Sequence, residues 1–149
     1  MKKIMQLLKN QKGLTLVELL AVIVILAVVA AIAVPSIGGV IENSRYNAVK
    51  ADATNALNAA QLYFTDLPTS ESTSVTVKEL KDQNYLESQG TLSNDAKVTK
   101  TQGQPLILPG TATTSSGKKV TFNATLSQIT ADGQKGSSDG PFTIPKASE

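Results

Sequence analysis

The chain has 149 residues, a formal net charge of +2, and neither histidine nor cysteine. This composition excludes imidazole bases, thiol nucleophiles, Cys/His zinc sites and disulfides. The length corresponds to one domain.

The N-terminal region combines a short basic leader with a long apolar run. Lysines occupy positions 2, 3, 9 and 12, and residues 14–34 contain only two polar members, Thr15 and Glu18. A hydrocarbon core about 30 Å thick needs roughly 20 mostly apolar helical residues, and this run supplies 21. It predicts a membrane-spanning helix whose basic leader, residues 1–13, stays in the cytoplasm while the C-terminus is exported.

Glu18 is the only ionisable side chain in the apolar run. A carboxylate near the centre of a membrane helix costs about 2.5–3.5 kcal/mol on insertion scales, and such groups are normally paired and functional. No basic residue lies between Leu14 and Val34. Its partner must be a leader lysine, another chain, or the α-amino group that cleavage after Gly13 would create on Leu14, one helical turn away.

The segment from Gly13 to Glu18, with the apolar residues after it and Pro35, closely resembles the prepilin signature of type IV pilins and pseudopilins. The resemblance implies that a membrane prepilin peptidase cuts after Gly13 and that the new N-terminus on Leu14 is methylated. It also matches Glu18 to the glutamate at the fifth mature position. The first mature residue is most often phenylalanine in the family, whereas this chain has Leu14.

The position of the cleavage site determines the charge of the mature chain and the class of precursor to which the leader belongs. Cleavage after Gly13 removes four lysines and leaves 10 basic and 12 acidic side chains, a balance with no general attraction for nucleic acid. The alternative is an ordinary secretory signal, because residues 31–33 (Ala-Ile-Ala) fit a small-x-small cleavage site. Glu18 is out of place in the apolar region of such a signal.

Helix is predicted to resume after a bend or a locally melted segment near residues 30–39. Pro35 removes a backbone donor, and Gly38 and Gly39 are poor helix formers. These residues could instead simply end the membrane helix. Against that alternative, apolar residues recur at the three- and four-residue spacing of an amphipathic helix: Tyr46, Val49, Ala53, Ala56, Leu57, Ala60, Tyr63 and Phe64.

The two halves of this helix must bury their apolar surface differently. The amphipathic half can dock on a sheet of its own chain, whereas residues 14–34 are apolar on every face and, outside a membrane, need copies of themselves as cover. In such a bundle Glu18 would meet the Leu14 amine of an adjacent subunit and set the register, because an offset subunit leaves a buried charge unpaired. The alanines of this segment either permit close helix approach or act as apolar filler: Ala21, Ala27, Ala30, Ala31 and Ala33.

The C-terminal half predicts a small β-rich head. Residues 65–75 are rich in turn formers and indicate a linker. Thr76 and Glu79 have capping-box spacing, which predicts a short helix from Val77 to Asn84.

Four segments of the head have the composition of strands: 97–101, 105–108 ending at Pro109-Gly110, 119–126 and 142–144. In the third, alternation places Val120, Phe122, Ala124 and Leu126 on one face, which we expect to cover the helix stripe. Residues 111–117 and 133–140 are predicted loops. The fold class is α+β, a long helix packed on a small antiparallel sheet.

A calcium site is a minor alternative to a plain solvated loop near the C-terminus. Asp132 and Asp139 lie in a glycine-rich stretch, and calcium prefers carboxylate oxygens. Secretion pseudopilins, which the N-terminal third also resembles, can bind calcium in this region. The spacing is not a recognisable calcium motif, so no cofactor is expected.

The sequence therefore predicts a non-enzymatic filament subunit. Its parts are the leader 1–13, a transmembrane and polymerisation helix 14–37, an amphipathic helix 38–66 and a head 67–149. The partners implied are further copies, the prepilin peptidase, the pilus assembly platform and the cytoplasmic membrane before assembly, followed by an extracellular pilus. The alternatives are a secretion or competence pseudopilin and a membrane-anchored or secreted binding domain.

Overall fold

The computed structural model describes residues 15–66 and 73–145, and of residues 2–14 it describes only that they belong to the first helix. Contacts divide the chain into two compact units, Met1–Gly39 and Val40–Glu149. The elements in chain order are α1 (Lys2–Asp66), β1 (Ser74–Thr76), α2 (Val77–Asp82), β2 (Lys97–Thr99), β3 (Ile107–Thr113), β4 (Lys119–Thr125), α3 (Leu126–Ala131) and β5 (Phe142–Ile144).

Helix α1 is uninterrupted through Pro35, Gly38 and Gly39. Of the two alternatives expected near residues 30–39, a bend or a locally melted segment, the structure does not show the melted one. Proline removes only its own N–H donor from the helix, and the remaining backbone groups of an apolar stretch have no better partners than the helix itself. A bend at these residues stays a prediction.

The amphipathic half of α1 buries the predicted stripe. Tyr46, Val49, Ala53, Ala56, Leu57, Ala60 and Phe64 are at most 4% exposed, and Tyr63 packs against them half-buried. Their partners include Val98, Leu108, Phe122, Ile129 and Ile144 from the rest of the head. The α+β layout is confirmed, with the core between the second half of α1 and one face of the sheet.

The sheet has five strands in the order β1-β2-β3-β4-β5. The first three pairings are antiparallel, but β5 pairs with β4 in parallel. The prediction of a purely antiparallel sheet is wrong at this edge. Residues 126–141, which include α3, form the long crossover that a parallel pair requires.

Two boundaries at the start of the head differ from the prediction. The predicted linker overlaps β1, whose Val75 pairs with Val98 of β2. The capping box of α2 is confirmed, since Glu79 N–H donates to the Thr76 hydroxyl and Thr76 N–H donates to the Glu79 carboxylate. The helix ends at Asp82, two residues early, because Asn84 adopts a left-handed backbone with φ of 62°.

Strand β3 continues through Pro109 and Gly110, where the sequence predicted its end, and absorbs the start of the predicted loop 111–117. The backbone of Thr111 and Thr113 hydrogen-bonds residues 91–93, away from β4. Pro109 lies two residues before Thr111, so its backbone faces the same side of the strand. Its missing N–H therefore costs no hydrogen bond to β4.

Strand β4 follows the predicted alternation until its last residue. Val120, Phe122 and Ala124 are buried, as predicted. Leu126 is 41% exposed, contrary to the prediction, because it begins α3 instead of ending the strand. Helix α3 has its own capping box between Thr125 and Gln128.

Candidate functional site

The first unit of the chain presents an apolar helix without cover. From Thr15 onward α1 is long and apolar enough to cross a membrane, by length and composition, and none of its most apolar window is buried. The large apolar side chains from Leu16 to Val34 are 51–71% exposed. Exposed apolar surface of this extent is typical of a segment that contacts a membrane or another protein.

Glu18 lies near the start of this apolar segment with its side chain exposed. The next charged residue along the chain is Glu42, more than six helical turns away. Within residues 15–66 and 73–145, Glu18 has no ion-pair partner. Its pairing with the amine of another subunit stays a prediction.

The predicted processing residues Gly13 and Leu14 belong to α1, but their side chains lie outside the described residues. Gly38 has open space around its Cα. The structure thus leaves the roles predicted for Gly13, Leu14, Pro35, Gly38 and Gly39 untested.

The head binds the second half of α1 through two polar clusters that the sequence did not predict. In the first cluster, Glu42 accepts hydrogen bonds from Arg45 at 2.6 Å and from Ser116 at 2.8 Å. Lys118 lies 3.9 Å from the same carboxylate and donates to the carbonyl of Gly136 at 2.8 Å. The turn between β3 and β4 is thereby attached to the helix.

The second cluster is centred on Asp132, whose side chain is 4% exposed. The Tyr46 hydroxyl donates to Oδ2 at 2.8 Å, and the Gln134 amide donates to Oδ1 at 2.8 Å. Lys50 Nζ lies 3.3 Å from Oδ2 and donates to the Asp132 carbonyl at 2.5 Å. Phe142 of β5 packs on the Tyr46 ring with centroids 4.7 Å apart.

The two polar clusters lower the pKa values of the carboxyl groups of Asp132 and Glu42 and raise the pKa of the Tyr46 hydroxyl. Burial of Asp132 alone would raise its pKa, but the hydrogen bonds from Gln134 and Tyr46 and the charge of Lys50 outweigh burial and lower it. Burial, with the Asp132 carboxylate next in importance, raises the pKa of Tyr46. The hydrogen bond from Ser116 is the main cause that lowers the pKa of Glu42.

The loop 133–140 lies against α1 at close range. A Cβ atom on Gly136 would collide with the backbone carbonyl of Glu42 and with Cβ of Tyr46. Ser137 N–H donates to the Asn43 side chain at 3.1 Å. Glycine at position 136 is thus required by this approach of two backbones.

The candidate calcium residues have separate environments. Asp132 is occupied by the three side chains described above, whereas Asp139 is exposed. The part of the chain that the structure describes contains no group of three or more acidic, histidine or cysteine side chains that could hold a metal. A calcium site therefore gains no support from this arrangement.

Family comparison identifies the N-terminal region. Residues 8–34 match the prokaryotic N-terminal methylation motif, which is the prepilin signature of type IV pilins and pseudopilins. Comparisons with curated proteins and with solved structures give no match. The motif indicates a type IV pilin or pseudopilin-like precursor, and together with the apolar helix it fits a membrane-anchored form of the chain.

Proposed function

We propose that this protein is a structural subunit of a type IV pilus. The prepilin peptidase cuts it after Gly13, the new amino group on Leu14 is methylated, and the chain polymerises through residues 14–37 into a surface filament. It acts as a substrate of the peptidase and has no enzymatic role of its own.

The uncovered apolar helix next to the methylation motif carries this proposal. A side chain stripe such as that of residues 46–64 finds its partner within the head, but the segment from Leu16 to Val34 is exposed on all faces. Lipid covers it in the precursor, and copies of the same segment cover it in a filament. The methylation motif supports this proposal, because it is the signature of precursors that a prepilin peptidase processes for assembly into a pilus.

Glu18 has a defined role in the proposed assembly. Its carboxylate pairs with the Leu14 amine of an adjacent subunit as the subunit leaves the assembly platform. A charge enclosed by apolar side chains without a partner is costly, by about 3–5 kcal/mol when one member of a buried pair is removed. Only the correct axial offset avoids this penalty.

Mass analysis of the N-terminus of the exported protein tests the proposal. We expect a methylated Leu14. A new N-terminus at Val34 would instead indicate a secretory signal peptide, and an intact Met1 would indicate a simple membrane anchor for a binding domain. Electron microscopy of the same material must show fibres for the proposal to stand.

A pseudopilin of a secretion or competence system is the second candidate, since the motif is common to both classes. The loops of the head are rich in serine, threonine and glycine, which fits a solvent-exposed surface in either class. The length of native fibres distinguishes the candidates, since pseudopilins form short pistons within the envelope.

A further inference from the structure

Two of the three tyrosines of this chain lie in contact with each other where α1 ends. Tyr63 of α1 and Tyr85, which follows α2, have ring centroids 5.5 Å apart and ring planes at 86°. Tyr63 also meets the buried ring of Phe64 edge to face, at 5.4 Å. The third tyrosine, Tyr46, is 1% exposed in the core. The pair at Tyr63 and Tyr85 is thus separate from the polar cluster around Tyr46.

The two paired rings are open to solvent in part. Both are half-buried and pack against the margin of the core. A small oxidant in solution can therefore reach both rings, whereas Tyr46 is enclosed. Side chains at a surface change orientation within picoseconds to nanoseconds, so the two rings can turn relative to each other.

The hydroxyl of Tyr85 has a proton acceptor in place. It donates a hydrogen bond to the exposed carboxylate of Asp66 at 3.0 Å. This bond is the main cause that raises the pKa of the Tyr85 hydroxyl, and the nearby Tyr63 hydroxyl adds a smaller contribution. The phenol therefore keeps its proton in the resting protein. Loss of an electron makes a phenol a strong acid, and a carboxylate within hydrogen-bond reach can then take the proton.

We propose that Tyr63 and Tyr85 form an oxidative modification site, at which hydrogen peroxide and a peroxidase join the two rings as dityrosine. Asp66 accepts the hydroxyl proton of Tyr85 in this reaction. Reactive groups held next to each other react far faster than the same groups free in solution. The internal cross-link is therefore favoured over links between chains.

The reaction balances as follows in atoms and electrons. The peroxidase removes one electron from each phenol, and each phenol loses its hydroxyl proton, from Tyr85 to Asp66 and from Tyr63 to water. The two radicals form a carbon–carbon bond between the ring positions next to their oxygens. The hydrogen on each of these carbons then moves to the oxygen and restores the phenol. In total two electrons and two protons leave the pair, and they reduce one hydrogen peroxide to two waters.

The cross-link would tie the end of α1 to the segment that follows α2. A covalent bridge of this kind restricts the unfolded chain as a disulfide does. This chain has no cysteine, so a tyrosine bridge would be a covalent staple that its composition still permits.

Peptide mapping of oxidised full-length protein tests the proposal. Protein in detergent micelles is treated with hydrogen peroxide and a haem peroxidase, and the monomer is isolated on a denaturing gel. Lys78 and Lys81 lie between the two tyrosines, so trypsin places them in different peptides that only a cross-link can join. We expect these peptides joined, with a loss of two hydrogen atoms and the fluorescence of dityrosine.

Phenylalanine variants show which rings react. Tyr63→Phe and Tyr85→Phe should each lower the internal product at least tenfold. Tyr46→Phe is the matched control and should change it less than twofold. Asp66→Asn should slow the initial rate at least threefold, and Asp82→Asn, which changes an exposed carboxylate at the end of α2, should leave the rate unchanged.

The results that would overturn the proposal are specific. Unreacted monomer, covalent dimers without the internal product, or an internal product that contains Tyr46 would each exclude the site. Equal initial rates for Asp66→Asn and the wild type would exclude Asp66 as the proton acceptor. The assay uses unassembled protein, so its outcome is independent of whether the chain forms a pilus.

Discussion

Tyr46 on α1 donates a hydrogen bond to Asp132, which follows α3 and lies 86 positions further along the chain. The bond is 2.8 Å long, and both side chains are almost entirely buried. It joins the helix to the segment that leads into β5. In a chain without cysteine, and therefore without disulfides, this hydrogen bond connects two segments that are far apart in the sequence.

We expect Tyr46→Phe to destabilise the head by about 1–3 kcal/mol, because the Asp132 carboxylate loses a donor in a buried site. The ring contact with Phe142 remains in this variant. Chemical denaturation of the full chain in detergent, followed by circular dichroism, measures the change. Tyr85→Phe is the control, since its bond to Asp66 is exposed and should contribute less than about 0.5 kcal/mol. Equal effects of the two variants would contradict the importance of the buried bond.

The pH dependence of stability should contain a contribution from Asp132. Its pKa is lower in the folded head than the ordinary value of about 3.9, so the folded state favours the ionised form. The resulting stabilisation is complete above about pH 5 and is lost as the pH falls through 4 towards the folded pKa.

Denaturation midpoints between pH 7 and pH 3 test this contribution. The wild type should lose stability more steeply than Asp132→Asn over this range, even though the variant is less stable at pH 7. Glu42 and Glu79 also have lowered pKa values and add the same background slope to both proteins. Parallel curves for the two proteins would show that Asp132 does not contribute.

Most of the helical part of the fold could be predicted from the sequence, because its signals are local. The stripe from Tyr46 to Phe64 needs only the helical period, and the capping box at Thr76 needs only two residues. The same rule applied to Thr125 and Gln128 would have predicted α3. Helix α3 was not predicted because Leu126 continues the alternation of β4. An apolar residue at this position fits the end of a strand and the start of a helix equally well.

The polar clusters and the sheet edge could not be predicted in this way. Glu42 meets Ser116 at a separation of 74 residues, and the parallel position of β5 depends on the path of the crossover through residues 126–141. Nothing local distinguishes Lys50 from a solvated surface lysine. By contrast, Glu18 can be singled out from the sequence alone, because it is a single charge in a long apolar run.

Gly136→Ala tests the close approach of the 133–140 loop to α1. The new methyl group would meet the backbone carbonyl of Glu42, which cannot rotate away as a side chain could. We expect a loss of about 1–3 kcal/mol, typical of overpacking. Gly133→Ala is the matched control, because a Cβ there meets nothing within 4 Å. The difference in thermal midpoint between the two variants measures the effect, and similar midpoints would place the loop farther from the helix.

Glu18→Ala tests the role of the single charge in the polymerisation helix. Export and cleavage should continue, because alanine is a better helix former and its insertion into lipid costs less than that of glutamate. Fibres should fall at least tenfold, since the Leu14 amine of each subunit would be enclosed without its counter-charge, a penalty of about 3–5 kcal/mol. Glu18→Gln should behave similarly, which separates charge from size. Glu87→Ala, at an exposed position of the head, is the control and should leave fibre yield unchanged. Processed Glu18→Ala protein that forms fibres at the wild-type yield would exclude Glu18 from subunit registration.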